Sequence, residues 1–232
     1  MTPGANSSVG VVLPAAGSGR RMGGAPKQTR LLGDAPVWIQ SARAFARHPD
    51  VGAVVVVAPE PSLAEMRRQL DRYALTAEVV AGGATRQASV RNGLDALPPL
   101  VETVLVHDAV RPFVDRSLIH RVIAGVQDAG AAAPAVPVAD TLRQGDGARF
   151  GPTVPREGLW AMQTPQGARR DLLIRAYART GDAVATDEVG LLQRAGVDVM
   201  LVEGDARNIK LTRPEDWETA LAVWPGWRAA RE

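Results

Sequence analysis

Six short apolar runs rich in valine constrain this chain more than any other feature: Val9–Leu13, Val51–Val57, Ala77–Val80, Val101–Val106, Ala131–Val138 and Val197–Val202. They are nearly continuous rather than alternating, the pattern of strands covered on both faces of a parallel sheet. Between them the apolar spacing changes to that of helices, as in Leu63, Met66 and Leu70, then Val90, Leu94 and Leu97, then Leu118, Ile119, Val122, Ile123 and Val126. Strands alternating with helices predict an α/β fold with right-handed crossovers.

Two further helices carry their own boundary signals. Thr186-Asp187-Glu188 opens one that runs through Leu191 and Leu192 and stops near Gly196. Thr212, Pro214 and Glu215 form a capping box with a first-turn proline. The helix they start places Trp217, Leu221 and Trp224 on one face, as core rather than as a ligand platform. From Asp140 to Trp160 the rhythm breaks, with Gly, Pro and Arg and no helical period. A loop-rich insertion of that length tends to serve function or assembly.

At 232 residues and 46% hydrophobic content, one domain over 1–232 is the expectation. No run approaches the ~20 apolar residues that span a bilayer, and Met1 to Ser8 lacks a basic and an apolar region, so 1–8 reads as a disordered leader on a soluble chain. Cysteine is absent, which removes disulfides and thiolate chemistry, and the three histidines are too scattered for an obvious metal cluster. The net charge is +2 with arginines dispersed among acids, and only 4% of residues are aromatic, so no nucleic-acid surface is suggested. Lysine occurs only at Lys27 and Lys210, against 25 arginines. A compact ammonium and a planar fork are poor substitutes where one oxygen must be reached.

The strongest local signal is Leu13-Pro14-Ala15-Ala16-Gly17-Ser18-Gly19-Arg20-Arg21-Met22, which follows the first strand and leads to Pro26-Lys27. Small residues let backbone N–H groups approach phosphate at the carboxyl end of a strand. A dinucleotide fingerprint fails because Met22 stands where a small residue is needed. A P-loop fails because Gly23 is followed by Gly24. Further on come Ala81-Gly82-Gly83-Ala84-Thr85-Arg86-Gln87-Ala88-Ser89-Val90, Val106-His107-Asp108-Ala109-Val110-Arg111-Pro112, Asp140-Thr141 and Arg156 with Leu159-Trp160. Gln163-Thr164-Pro165-Gln166, Ala185-Thr186-Asp187-Glu188 and Asn208-Ile209-Lys210-Leu211-Thr212-Arg213-Pro214-Glu215-Asp216 complete the series.

In order and spacing, from about Val11 to Asp216, this series resembles the 2-C-methyl-D-erythritol 4-phosphate cytidylyltransferases of the non-mevalonate isoprenoid pathway. The resemblance implies a Rossmann-like, GT-A-like three-layer fold with a mostly parallel sheet. It also implies a protruding arm over about 140–160 that embraces a second subunit in a homodimer. The expected reaction joins the acceptor phosphate to the α-phosphate of CTP and releases pyrophosphate, in a cytoplasmic enzyme with magnesium. By the same resemblance Arg21 and Lys27 stabilise the transition state, while Ala15, Ala16 and Gly17 line the triphosphate. Gly82, Gly83 and Ser89 hold the cytosine, and Ala109 lies near the ribose. Lys210 and Arg156 position the acceptor phosphate, and Asp108, Arg111, Thr141 and Thr164 complete its site. No metal ligand is assigned.

Arg20 reads as a solvated residue and His107 as packed and hydrogen-bonded rather than a general base. Three residues depart from the family pattern: Thr29 where an aromatic is usual, Ala84 where an acid is common, and Val110 where a small residue is common. The competing readings are a cytidylyltransferase for another polyol phosphate such as ribitol 5-phosphate, a nucleotide-binding module without turnover, and an NAD-linked oxidoreductase, which fails at Met22. With the last helix ending close to Glu232, a fused cyclodiphosphate synthase is not expected.

Overall fold

The computed structural model describes residues 8–16, 27–180 and 185–229. In chain order these form β1 (Val9–Pro14), a 3-10 turn over Lys27–Thr29, the two-residue strands β2 (Leu31–Leu32) and β3 (Ala35–Pro36), and α1 (Val37–Ala46). Then follow β4 (Val51–Ala58), α2 (Leu63–Arg72), β5 (Glu78–Ala81), α3 (Arg86–Ala96), β6 (Thr103–Val106), α4 (Arg116–Ala129) and β7 (Ala131–Pro137). The rest are β8 (Leu142–Gly145), β9 (Phe150–Val154), β10 (Trp160–Met162), β11 (Gln166–Arg169), α5 (Arg170–Thr180), α6 (Glu188–Arg194), β12 (Met200–Glu203) and α7 (Pro214–Ala229).

The main sheet has eight strands, ordered β10-β7-β11-β6-β1-β4-β5, with β12 also on β7. β1, β4, β5 and β6 are mutually parallel, so their carboxyl ends share one edge. β11 is inserted antiparallel between β6 and β7, and β10 is antiparallel to β7. Residues of β1 alternate between two cores, Val11 and Leu13 in one and Val12 in the other. Burial on both faces is what made the runs continuous, and it yields the three layers. α1, α2 and α4 cover one face, α3, α5 and α6 the other.

Local chemistry sets the helix ends. The Asp115 carboxylate accepts from Leu118 N at 2.7 Å to cap α4, and Gly130, at φ 82, ends it in the left-handed region that glycine reaches without a Cβ penalty. Thr85 caps α3 by accepting from Ala88 N at 3.0 Å, and Asp187 caps α6 through Gly190 N, also at 3.0 Å.

Several expectations need correction. β6 begins at Thr103 and β12 at Met200, later than the apolar runs start, because Val101 closes a turn to Pro98 O and Val197 and Val199 pack as loop. The capping box of α7 closes through Asp216 rather than Glu215: its Oδ2 accepts from Thr212 N, Thr212 Oγ1 and Arg213 N at 2.6–2.7 Å. The buried face of α7 is Trp217, Ala220 and Trp227, whereas Leu221 is 49% exposed. Trp227 stands edge-on to Phe113 at 5.5 Å between ring centres, which fixes α7 on a satellite core with Leu32, Val37 and Leu211. The irregular segment is not merely loop, since β8 and β9 pair as a separate antiparallel hairpin. The leader falls outside the described residues except for Ser8, whose carbonyl accepts from Glu102 N and Thr103 N at 2.8 and 3.0 Å.

Candidate active site

Of the expected site residues, Ala15, Ala16, Gly82, Gly83, Ser89, Asp108, Ala109 and Arg111 follow the edge where β1, β4, β5 and β6 end, the usual place for a ligand in an open α/β sheet. Gly17 and Arg21 lie outside the described residues, as does the side chain of Lys27. Ala15 extends the sheet beyond β1, donating to Val57 O at 2.7 Å. Its own carbonyl accepts from the buried Gln28 Nε2 at 2.9 Å, which ties the turn that carries Lys27 to the tip of β1.

The glycine pair after β5 meets this tip from the side. Gly82 donates to Ala58 O at 2.8 Å, and a Cβ on it would lie 2.9 Å from both Ala16 Cβ and Ser89 Oγ. A Cβ on Gly83 would lie 2.5 Å from Ala88 Cβ. Only glycine lets three backbone segments meet so closely. Ser89, buried in the first turns of α3, accepts from Gly83 N at 3.1 Å and donates to Thr85 O at 2.9 Å. The result is a walled recess with backbone groups and a helix N-terminus at its rim, suited to an anionic or polar planar ligand.

Beside it, the residues after β6 form a charged cluster. Asp108 Oδ2 accepts from Lys210 Nζ at 2.7 Å, Arg111 Nε stands 3.7 Å from the same oxygen, and Arg86 Nη2 stands 3.7 Å from Oδ1. Burial pushes the Asp108 carboxyl up, but Lys210, Arg86 and Arg111 together outweigh it and bring its pKa down to about 2. Asp108 is therefore a fixed anion amid cations. Arg111 is half-buried and anchored by donation to Asn208 O at 2.7 Å, and Lys210 is the more exposed member of the set. Ala109, buried, is held by Ser41 Oγ donating to its carbonyl at 3.0 Å.

Beneath the cluster runs a neutral relay. Asp108 N donates to Thr164 Oγ1 at 3.2 Å, and Thr164 Oγ1 lies 3.0 Å from His107 Nδ1. His107 Nε2 lies 3.1 Å from Arg111 O, an acceptor only, so the proton sits on Nε2 and Thr164 donates to Nδ1. Full burial lowers the His107 pKa to about 4, which keeps the ring neutral. The Thr164 hydroxyl is thus engaged on both sides, and its carbonyl accepts from Asn208 Nδ2 at 2.8 Å.

Thr141 and Arg156 lie apart, exposed at the base of the β8–β9 hairpin, with Arg156 donating to Ala139 O. Among the described residues no hydrogen bond or ion pair joins either to the Asp108 cluster. Sequence reasoning missed four participants: Arg86, Glu188, Gln163 and Gln166. All four stood in quoted motifs without a role. Gln163 pairs with the backbone of Asp205 through both amide atoms at 2.8 and 3.1 Å, which seats the chain leading to Lys210. Of the three departures, Val110 accepts at its carbonyl from Leu211 N at 3.0 Å and Ala84 is exposed.

The family model described as 2-C-methyl-D-erythritol 4-phosphate cytidylyltransferase matches residues 9–224. A protein of that name from Salinibacter ruber is 51% identical over 226 residues, covering 96% of this chain and 95% of its own length. The crystal structure of the protein of that name from Thermus thermophilus is similar at a TM-score of 0.80 and 39% identity, covering 93% of this chain and 98% of that one. A 4-diphosphocytidyl-2C-methyl-D-erythritol synthase structure from Anaerococcus prevotii also gives a TM-score of 0.80, at 27% identity, over 93% of this chain and 97% of that one.

Proposed function

The chain belongs to the 2-C-methyl-D-erythritol 4-phosphate cytidylyltransferase family, and from that membership we propose how its cleft divides the reaction. It is a nucleotidyltransferase of isoprenoid synthesis, forming 4-diphosphocytidyl-2-C-methyl-D-erythritol. In our reading CTP supplies the cytidylyl group. An acceptor phosphate oxygen attacks the α-phosphorus in line, the bond to the bridging oxygen breaks, and pyrophosphate leaves with that electron pair. No covalent enzyme intermediate is needed, so the protein contributes position and positive charge.

The recess of Ala15, Ala16, Gly82, Gly83 and Ser89 takes the nucleotide, with Ala109 near the ribose and Gly17 along the triphosphate. Arg21 and Lys27 are assigned, from the family resemblance, to stabilise the charge that grows on the α-phosphate and the leaving group. Lys210 and Arg156 orient the acceptor, helped by Asp108, Arg111, Thr141 and Thr164. The observation that best supports this reading is the Lys210–Asp108 pair beside the glycine recess. A cation held half-exposed beside the glycine turn is available to a second phosphate.

Magnesium enters, in this proposal, as the chelate of CTP. Among the described residues no group of three or more His, Asp or Glu could hold a metal ion, and Asp108 is already engaged by cations, so no ligand is assigned and no step is routed through the ion. We further propose a cytoplasmic homodimer in which the hairpin arm delivers Thr141 and Arg156 to the partner's cleft. Phe150 on the hairpin, at 89% exposure, and Trp160 on β10 where the chain rejoins the main sheet, at 44%, leave apolar surface to cover. No described helix is long and apolar enough to cross a membrane.

Release of pyrophosphate from CTP in the presence of methylerythritol phosphate tests the reading. We expect turnover with this acceptor to exceed that with ribitol 5-phosphate by about a hundredfold or more, since a site built to bind hydroxyls penalises misplaced ones. Equal or faster turnover of ribitol 5-phosphate would reassign the acceptor.

A further inference from the structure

Arg86 opens α3, where a cation opposes the helix dipole, so helix electrostatics do not explain its place. Its fork is filled by Glu188: Nη1 meets Oε1 at 2.8 Å and Nη2 meets Oε2 at 2.9 Å. Glu188 is buried, with 3% of its side chain exposed. It is set in place by Gln166, whose Oε1 accepts from Glu188 N at 2.9 Å and Val189 N at 3.1 Å, and whose Nε2 donates to Asp187 Oδ2 at 3.0 Å. A buried ion pair of this kind gives little net stability over a well-packed apolar pair. Its geometry does have a consequence for Asp108, which stands 3.7 Å from the same guanidinium.

An unoccupied arginine fork beside a buried carboxylate would bind it bidentately, and a bidentate guanidinium outcompetes a single ammonium. Arg86 does not do this to Asp108, because both of its terminal nitrogens face Glu188. Asp108 is left to Lys210 at 2.7 Å, with Arg111 Nε more distant at 3.7 Å and the Arg111 fork donated elsewhere, to Asn208 O and Met162 O. We propose that Glu188 is a positioning residue for the acceptor half of the reaction: by filling the fork of Arg86 it keeps Asp108 available to hold Lys210 at the mouth of the cleft. The inference rests on the reading of Lys210 as the acceptor-phosphate cation.

The test is a set of variants assayed by pyrophosphate release, with each substrate varied separately. Glu188→Gln removes the charge and keeps the shape, freeing Arg86 to capture Asp108. We expect the KM for methylerythritol phosphate to rise about tenfold or more, the cost of displacing one orienting group, while the KM for CTP stays within about twofold. The double variant Arg86→Gln/Glu188→Gln, which has no fork left to restrain, is to recover most of the acceptor KM, a rescue that a merely structural role does not provide. Glu188→Asp withdraws the carboxylate by one methylene and is to show the same selective rise at smaller size. It supplies the readout if Glu188→Gln does not fold. An unchanged acceptor KM, an equal rise in both KM values, or a double variant as impaired as the single one overturns the proposal while leaving the functional reading intact. A wild-type protein that releases no pyrophosphate with this acceptor overturns both.

Discussion

Lys210 reaches Asp108 at 2.7 Å in a chain that carries only one other lysine, so residue-scale predictions begin there. Lys210→Ala is expected to lower turnover on the order of a hundredfold, as loss of one preorganised donor does. Lys210→Arg keeps the charge but brings a planar fork that can take both oxygens of Asp108, so it is expected to remain well below wild type in the same assay. Near-normal rates in both variants would remove Lys210 from the mechanism. His107 gives a pH prediction of definite sign. Its pKa is about 4 when folded against 6.5 as the reference, so below pH 6.5 the unfolded chain binds the proton that the folded one refuses. Stability is therefore full above that pH and falls between 6.5 and 4, by about 3 kcal/mol for this group alone. Burial also lowers the His48 pKa, which acts in the same direction. Urea titrations from pH 7 to pH 4 should show the loss, and His107→Gln, though less stable throughout, should show a shallower one. An equal slope in the variant would mean that the relay through Thr164 does not hold a neutral ring.

At the scale of elements, the nucleotide recess depends on α3, whose first turn carries the glycine loop and whose last turn is held by a residue from another part of the chain. Arg170 donates to Pro98 O at 2.6 Å and to Leu97 O and Leu94 O at 3.1 and 3.2 Å, so one side chain gathers the carbonyls at and just beyond the end of α3. Arg170→Met keeps the apolar stem and removes all three donations, leaving Leu97 O without its partner while Pro98 O and Leu94 O keep only the backbone donors Val101 N and Leu97 N. We expect a loss of about 2 kcal/mol in urea denaturation, with the KM for CTP little altered because the far end of the helix is pinned by Thr85 and Ser89. A stability loss near zero would show that water replaces the arginine. α7 has a parallel duty on the acceptor side. It packs Trp227 on Phe113, and in the segment before it Leu211 N donates to Val110 O at 3.0 Å, so Lys210 is fixed from both directions.

At the scale of the whole molecule, the hairpin of β8 and β9 stands off the main sheet and carries Arg156 and Thr141 away from the cluster they are proposed to serve. If a partner subunit completes each site, inactive Arg156→Ala and Lys210→Ala chains co-expressed and assembled at random should recover about a quarter of wild-type turnover, because half the dimers are mixed and each has one intact site. No recovery above the separate variants would place the whole site in one chain. The sequence by itself determined the α/β class, because strands buried on both faces must be apolar throughout and helices between them must be amphipathic. It also determined the order of the glycine recess and of the Asp108 and Lys210 segments, whose local requirements are written in neighbouring residues. Only the tertiary structure decided the antiparallel insertion of β11, since Gln166–Arg169 has no strand-like pattern and pairs through its backbone with β6 and β7. It alone joined Arg86 to Glu188 across 102 positions, and it set Leu221 outward and Trp227 inward on α7. Contacts between distant segments leave no period in the sequence, because the residues that make them answer to packing partners that the chain brings near only once it has folded.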